Sequence, residues 1–174
     1  MDDFGVVTEP GTLRMDRLLP GPIERVWSYL TDSDKRARWL AAGPMDLQIG
    51  GRVDLAFHNS LLSSKVEEPP EHYRNADCSK LQGRVTRCEP PYRLSFTWGT
   101  GADASEVSFD LSEQGSDVRL VLTHRRIGER RMLLSVAGGW HTHVGILVDR
   151  LNGREPPGFW STHTALEAEY GRRL

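Results

Sequence analysis

The stretch that decides the fold is Ala137-Gly-Gly-Trp-His-Thr-His-Val-Gly-Ile-Leu-Val-Asp-Arg-Leu151. Its apolar residues Trp140, Val144, Leu147, Val148 and Leu151 return at intervals of three and four, which puts them on one helix face packed against a core. The stripe extends back through Leu133, Val136 and Ala137, so the helix is expected to start near Glu129 and to run for about six turns of 3.6 residues. It is the longest helix the sequence offers. Most of the preceding chain alternates apolar with polar residues instead, the period of strands that have one wet face. A long helix after a series of strands gives a single curved sheet something to wrap.

Working outward, residues 1–11 are polar, contain Gly and Pro, and are expected to be flexible, while Thr12 to Leu19 reads as a first strand. Pro22 opens a short amphipathic helix with Ile23, Val26, Trp27 and Leu30 on one face, and Asp32 or Ser33 caps a second that closes on Trp39-Leu40. Gly50-Gly51 turns into a strand in which Val53, Leu55 and Phe57 point one way. Further strands follow with Leu94, Phe96 and Trp98, with Val107, Phe109 and Leu111, and with Val118, Leu120, Leu122 and His124 sharing inward parity. Short turns join them, which indicates an antiparallel meander. The connection from His58 to Ser79 is about twenty residues long, and such a loop is either a lid or disordered. Gly153 stops the long helix and Pro156-Pro157 prevents its continuation. Residues 154–174 form an extension with a short helix opened by a Thr164-x-x-Glu167 capping box.

The chain of 174 residues suits one domain, and its 22 basic and 24 acidic side chains are interspersed. This balance argues against nucleic acid or an anionic membrane as a partner. Cys78 and Cys88 stand near opposite ends of one expected strand, too far apart for a disulfide. No apolar run reaches membrane-spanning length and the Met-Asp-Asp start lacks a signal-peptide pattern, so the expected location is the cytoplasm.

The order of elements, carried by particular residues, resembles the START-like or Bet v 1-like helix-grip superfamily. Within it the chain is similar to the branch named for the activator of the heat-shock protein 90 ATPase. The resemblance rests on Arg17-x-x-Pro20 leading into Val26-Trp27, Thr31-Asp32 before Trp39, and Gly50-Gly51. It continues through Pro90-Pro91-Tyr92-Arg93-Leu94, Phe96-Thr97-Trp98, Leu120-x-Leu122-Thr123-His124 and Gly138-Gly139-Trp140-His141. It covers residues 12 to 153 and implies an α+β helix-grip fold: a curved antiparallel sheet of six to seven strands around a long C-terminal helix, with two short helices after the first strand. It further implies a hydrophobic cavity between sheet and helix.

A small, largely apolar ligand in that cavity is the leading expectation. The residues expected to bind it are Phe57, Phe96, Trp98, Phe109, Leu122 and His124 from the sheet, with Trp140, His143, Val144 and Leu147 from the helix. His124, His141 and His143 read either as polar anchors in an apolar pocket or as imidazoles satisfied by backbone or water at its rim. His141-x-His143 puts two rings about 200 degrees apart on a helix, unlike the i, i+4 spacing that shares a metal, and neither a metal nor a cofactor is expected. No nucleophile–base pair can be read from spacing, so catalysis by a cyclase- or hydratase-type cavity ranks below binding. A chaperone-linked or other protein-interaction module is the other alternative, with Phe159, Trp160 and Tyr170 of the tail as its exposed patch. Gly138-Gly139 opposes helix propensity by ~1 kcal/mol per residue, for which close packing on the sheet or room for a ligand are the two explanations.

Overall fold

The computed structural model describes residues 2–174. Two antiparallel strands come first, β1 (Val6–Glu9) and β2 (Thr12–Pro20), then two short helices, α1 (Ile23–Thr31) and α2 (Ser33–Arg36). Next come β3 (Arg52–His58), a connection carrying the short helix α3 (Arg74–Asp77), and the meander β4 (Cys78–Glu89), β5 (Arg93–Trp98), β6 (Ser105–Gln114) and β7 (Asp117–Arg125). The long helix α4 (Arg130–Leu151) and the tail helix α5 (Phe159–Arg173) complete the chain. The seven strands form one antiparallel sheet in the order β1-β2-β7-β6-β5-β4-β3.

The alternation works as expected along most strands. Val107, Phe109 and Leu111 of β6 and Val118, Leu120, Leu122 and His124 of β7 are buried, with Phe109 opposite Leu122 and Val107 opposite His124. Their partners across the core are Trp140, Val144, Leu147 and Leu151 of α4, all buried. At Gly83 the backbone of β4 comes close to that of β5. A Cβ there would lie 2.0 Å from the carbonyl oxygen of Thr97, so only glycine lets β4 approach β5 this closely. Beyond that point β4 pairs with β3, with Val53 opposite Gly83 and Phe57 opposite Ser79.

Three local expectations are corrected. Residues 4–9 are not loose: Val6 pairs with Arg14 at the sheet edge, the backbone N–H of Gly5 donates to the Tyr170 hydroxyl at 2.8 Å, and Phe4 meets the rings of His141 and Tyr170 edge-on, while Met1 lies outside the described residues. A polar, Pro- and Gly-containing composition missed this because the partners lie in α5, at the other end of the chain. The tail helix is not short; it runs for 15 residues and starts at Phe159, which places Thr164 inside it rather than at its cap. Its N-cap residue, Gly158, has no side chain to cap with. Glu67 from the connection after β3 does so instead, accepting from the Ser161 backbone N–H at 3.1 Å and its hydroxyl at 3.0 Å.

The second short helix follows the rule read from the sequence, since the Asp32 carboxylate accepts from the Lys35 N–H at 3.0 Å. It ends at Arg36, before Trp39. Arg36 is buried, and its guanidinium donates to the carbonyls of Leu30, Thr31, Ala41 and Gly43. Burial pulls its pKa down to about 10. Those four carbonyls fix the chain that carries Trp39 into the core.

Candidate functional site

Where α4 and the sheet diverge, a cavity of about 270 Å³ remains between them. The sheet contributes Phe57, Ser79, Lys80, Leu81, Trp98 and His124, and α4 contributes Met132, Ser135, Val136, Gly139, Trp140 and His143. Leu40 adds a further side chain. The remaining wall comes from Asn59, Tyr73 and Ala76 in the connection after β3, and from Phe159, Trp160 and His163 of α5.

Five of the ten residues expected from the sequence, Phe57, Trp98, His124, Trp140 and His143, stand together on this wall. The other five do not. Phe96, Phe109, Leu122, Val144 and Leu147 are buried in the packed core beside it. Phe96 stacks on Phe109 at 6.1 Å, and Trp39 fills the space over Phe109 edge-on at 6.4 Å. Parity identifies an inward face, but not which part of that face a distant side chain fills. Here Trp39 decides it.

The histidines are held in defined states. The Trp140 indole can only donate, and it donates to His124 Nδ1 at 2.9 Å, so the ring proton of His124 sits on Nε2 and points to the Ser105 hydroxyl at 2.8 Å. His143 is the reverse: its Nδ1 faces the Trp39 carbonyl at 2.8 Å, which can only accept, so Nδ1 carries the proton and Nε2 keeps a lone pair. Burial drives the pKa of each down to about 4, leaving both rings neutral near pH 7. His163, also buried, has its pKa lowered by burial against the opposing pull of Glu167, whose carboxylate lies 3.6 Å from Nδ1, beyond a hydrogen bond. His141 faces away from the cavity. It bonds the Tyr170 hydroxyl at 2.9 Å, and burial lowers its pKa to about 4 as well.

Sequence reasoning missed the contribution of the connection and the tail. Tyr73 stacks on Trp160 at 5.6 Å and donates to Glu167 at 2.7 Å, while the Trp160 indole donates to Asp77 at 2.7 Å. Asp77 in turn accepts from the backbone and hydroxyl of Ser60. These bonds clamp the 59–78 connection onto α5. The only sequence signal was the cluster of aromatics after Pro156-Pro157, and Phe159, Trp160 and Tyr170, expected as an exposed patch, are instead 2, 3 and 0 % exposed. Gly138-Gly139 splits the two explanations offered for it. A Cβ on Gly138 would meet Glu167 at 3.3 Å, so the close packing is against α5 and not the sheet; a Cβ on Gly139 would meet nothing within 4 Å, on the cavity wall.

Among the described residues no three His, Cys, Asp or Glu side chains converge as a metal site would need, and no helix is long and apolar enough to cross a membrane. Cys78 and Cys88 are free thiols.

A curved seven-stranded sheet gripping α4 over an aromatic cavity defines a START-like, Bet v 1-like protein of the helix-grip class. The sequence pattern of the family described as "Activator of Hsp90 ATPase homolog 1-like protein" matches residues 20–152, and the chain belongs to that family. A protein of Bordetella parapertussis solved by solution NMR is 45% identical, with a TM-score of 0.82 over 99% of this chain and 91% of that one. CalU16 from Micromonospora echinospora is 24% identical, with a TM-score of 0.66 over 92% of this chain and 86% of its own. A conserved protein of Enterococcus faecalis shares the fold at 18% identity, with a TM-score of 0.68 over 95% and 86% of the two chains. No curated protein matches the chain.

Proposed function

We propose that this protein binds a small, largely apolar molecule between its sheet, α4 and the tail helix. The observation that carries the reading is a cavity of about 270 Å³ walled by Phe57, Tyr73, Trp98, Trp140, Phe159 and Trp160. An apolar enclosure with a few placed polar groups is the usual form of a small-molecule site. The bonding of the histidines favours binding over acid–base chemistry. His124 has both ring nitrogens engaged and His143 has its N–H committed to a carbonyl, so neither is placed as a proton shuttle. A protein-docking role for the tail has lost its motive, because the aromatics that suggested it are buried against the clamp.

Native mass spectrometry, together with quenching of tryptophan emission by a panel of apolar compounds, tests the proposal. A specific adduct is expected, and Gly139→Leu should abolish it by filling the cavity from a helix position with open space around it. A wild-type protein that neither carries nor accepts any compound of the panel contradicts the proposal.

A further inference from the structure

The polar atoms left over in the cavity wall have a common character. His143 Nε2 makes no hydrogen bond among the described residues, and with Nδ1 protonated toward the Trp39 carbonyl it can only accept; His163 Nδ1, on the same wall, is buried without a partner. Asn59 is 7 % exposed; its amide nitrogen donates to the Ala76 carbonyl at 3.1 Å, while its Oδ1 is buried without a partner. His143 and Asn59 both line the cavity. The indole N–H groups of Trp140 and Trp160 on the same wall are spent on His124 and Asp77, and the Tyr73 hydroxyl on Glu167. The indole and phenol donors of the wall are thus spent internally, and Asn59 Oδ1 and His143 Nε2 are left as acceptors, with the Ser79 and Ser135 hydroxyls and the exposed Lys80 also on the lining.

An unpartnered buried acceptor carries a desolvation cost that a ligand donor removes and that a second acceptor does not. We infer that the ligand is an uncharged aromatic molecule bearing a hydroxyl or N–H donor, held by His143 Nε2 and Asn59 Oδ1, and not a fatty or aromatic carboxylate. The inference rests on the cavity reading above and adds the chemistry of the occupant. A carboxylate would set its lone pairs against those of His143 and Asn59, and no buried cation lines the wall to offset this; Lys80 is exposed at the rim. The low pKa of His143 agrees with this, since a neutral ring cannot serve as an anion's partner at physiological pH.

Three probes of one shape separate the possibilities: naphthol, methylnaphthalene and naphthoate, titrated against the whole protein by tryptophan quenching and calorimetry. Naphthol is expected to bind at least about tenfold more tightly than either of the others, as expected when a buried acceptor goes unpaired. The nitrogen resonance of His143 Nε2 should shift on adding naphthol and not on adding methylnaphthalene. His143→Phe, which keeps an aromatic ring, should bring the preference for naphthol over methylnaphthalene close to unity. Equal affinities of naphthol and methylnaphthalene for the wild type overturn the donor requirement while leaving the cavity reading intact. Tightest binding by naphthoate overturns it in favour of an anion held at the rim by Lys80. Failure of all three to quench or bind overturns the cavity reading and this inference with it.

Discussion

His124 shows how one side chain is fixed by chemistry on both sides. Between an indole that can only donate and a serine hydroxyl, the imidazole has one workable tautomer, and its burial makes a proton on the second nitrogen costly. The same burial holds His143 at about 4. In the unfolded chain both return toward the ordinary value near 6.5. Because the folded pKa of each base lies below the unfolded one, the unfolded chain binds more protons in between, and stability falls with falling pH across that interval. Urea midpoints are therefore expected to be flat above about pH 7 and to drop steadily between about 6.5 and 4. A His143→Phe variant should show a shallower drop over the same window; an unchanged slope would mean that other groups set it.

The glycine pair offers a second test at this scale. Gly139 has open space where a methyl group would go, so Gly139→Ala is expected to stabilise the helix by about 1 kcal/mol, raising Tm by roughly 2–4 °C. Gly138→Ala gains the same propensity but presses on Glu167 at 3.3 Å, where backbone atoms of α5 lie within 3.4 Å. Its Tm should fall below that of Gly139→Ala, and thermal melts of the two variants side by side decide the matter. If the two melt alike, α5 gives way freely and the close packing is not what selects glycine at position 138.

Among the elements, α5 and the 59–78 connection depend on each other. The tail helix has no cap of its own, and Glu67 supplies one from ninety-four positions earlier. The connection lacks a sheet partner, and Asp77, Tyr73 and Ser63 tie it to Trp160, Glu167 and the Pro156 carbonyl. Replacing Glu67 by Ala is expected to cost about 1 kcal/mol, the usual loss for a helix cap, with a Tm lower by about 2–4 °C. Hydrogen exchange should quicken at the first turn of α5 while the centre of α4 stays protected. Quickened exchange throughout α4 would show that the two helices open as one unit.

For the whole molecule, the consequence of the cavity is linkage between ligand and fold. A ligand that binds only the folded chain, present at a hundred times its Kd, adds about 2.7 kcal/mol to stability. In a chain of this size that corresponds to a Tm rise of roughly 5–10 °C. The rise should be lost in Gly139→Leu, whose cavity is filled, and thermal-shift measurements with the tightest compound provide the check. A rise that survives the filling would locate binding elsewhere on the surface.

The sequence determined by itself what local period and local chemistry can carry. The stripe from Leu133 to Leu151 set the length of α4, alternation set the inward faces of the meander, Asp32 set a cap, and the order of these elements set the helix-grip class. It put Phe57, Trp98, His124, Trp140 and His143 on inward faces, but by the same parity also Phe96, Phe109, Leu122, Val144 and Leu147, which lie in the packed core beside the cavity. What it could not carry were contacts between residues far apart in the chain. That Phe4 and Gly5 meet Tyr170, that Glu67 caps α5, that Trp39 seals the core over Phe109, and that Asn59, Tyr73, Trp160 and His163 finish the cavity wall was decided only by the tertiary structure. The physical reason is that periodicity reports which face of an element is buried, whereas the partner that buries it is chosen by packing over the whole chain.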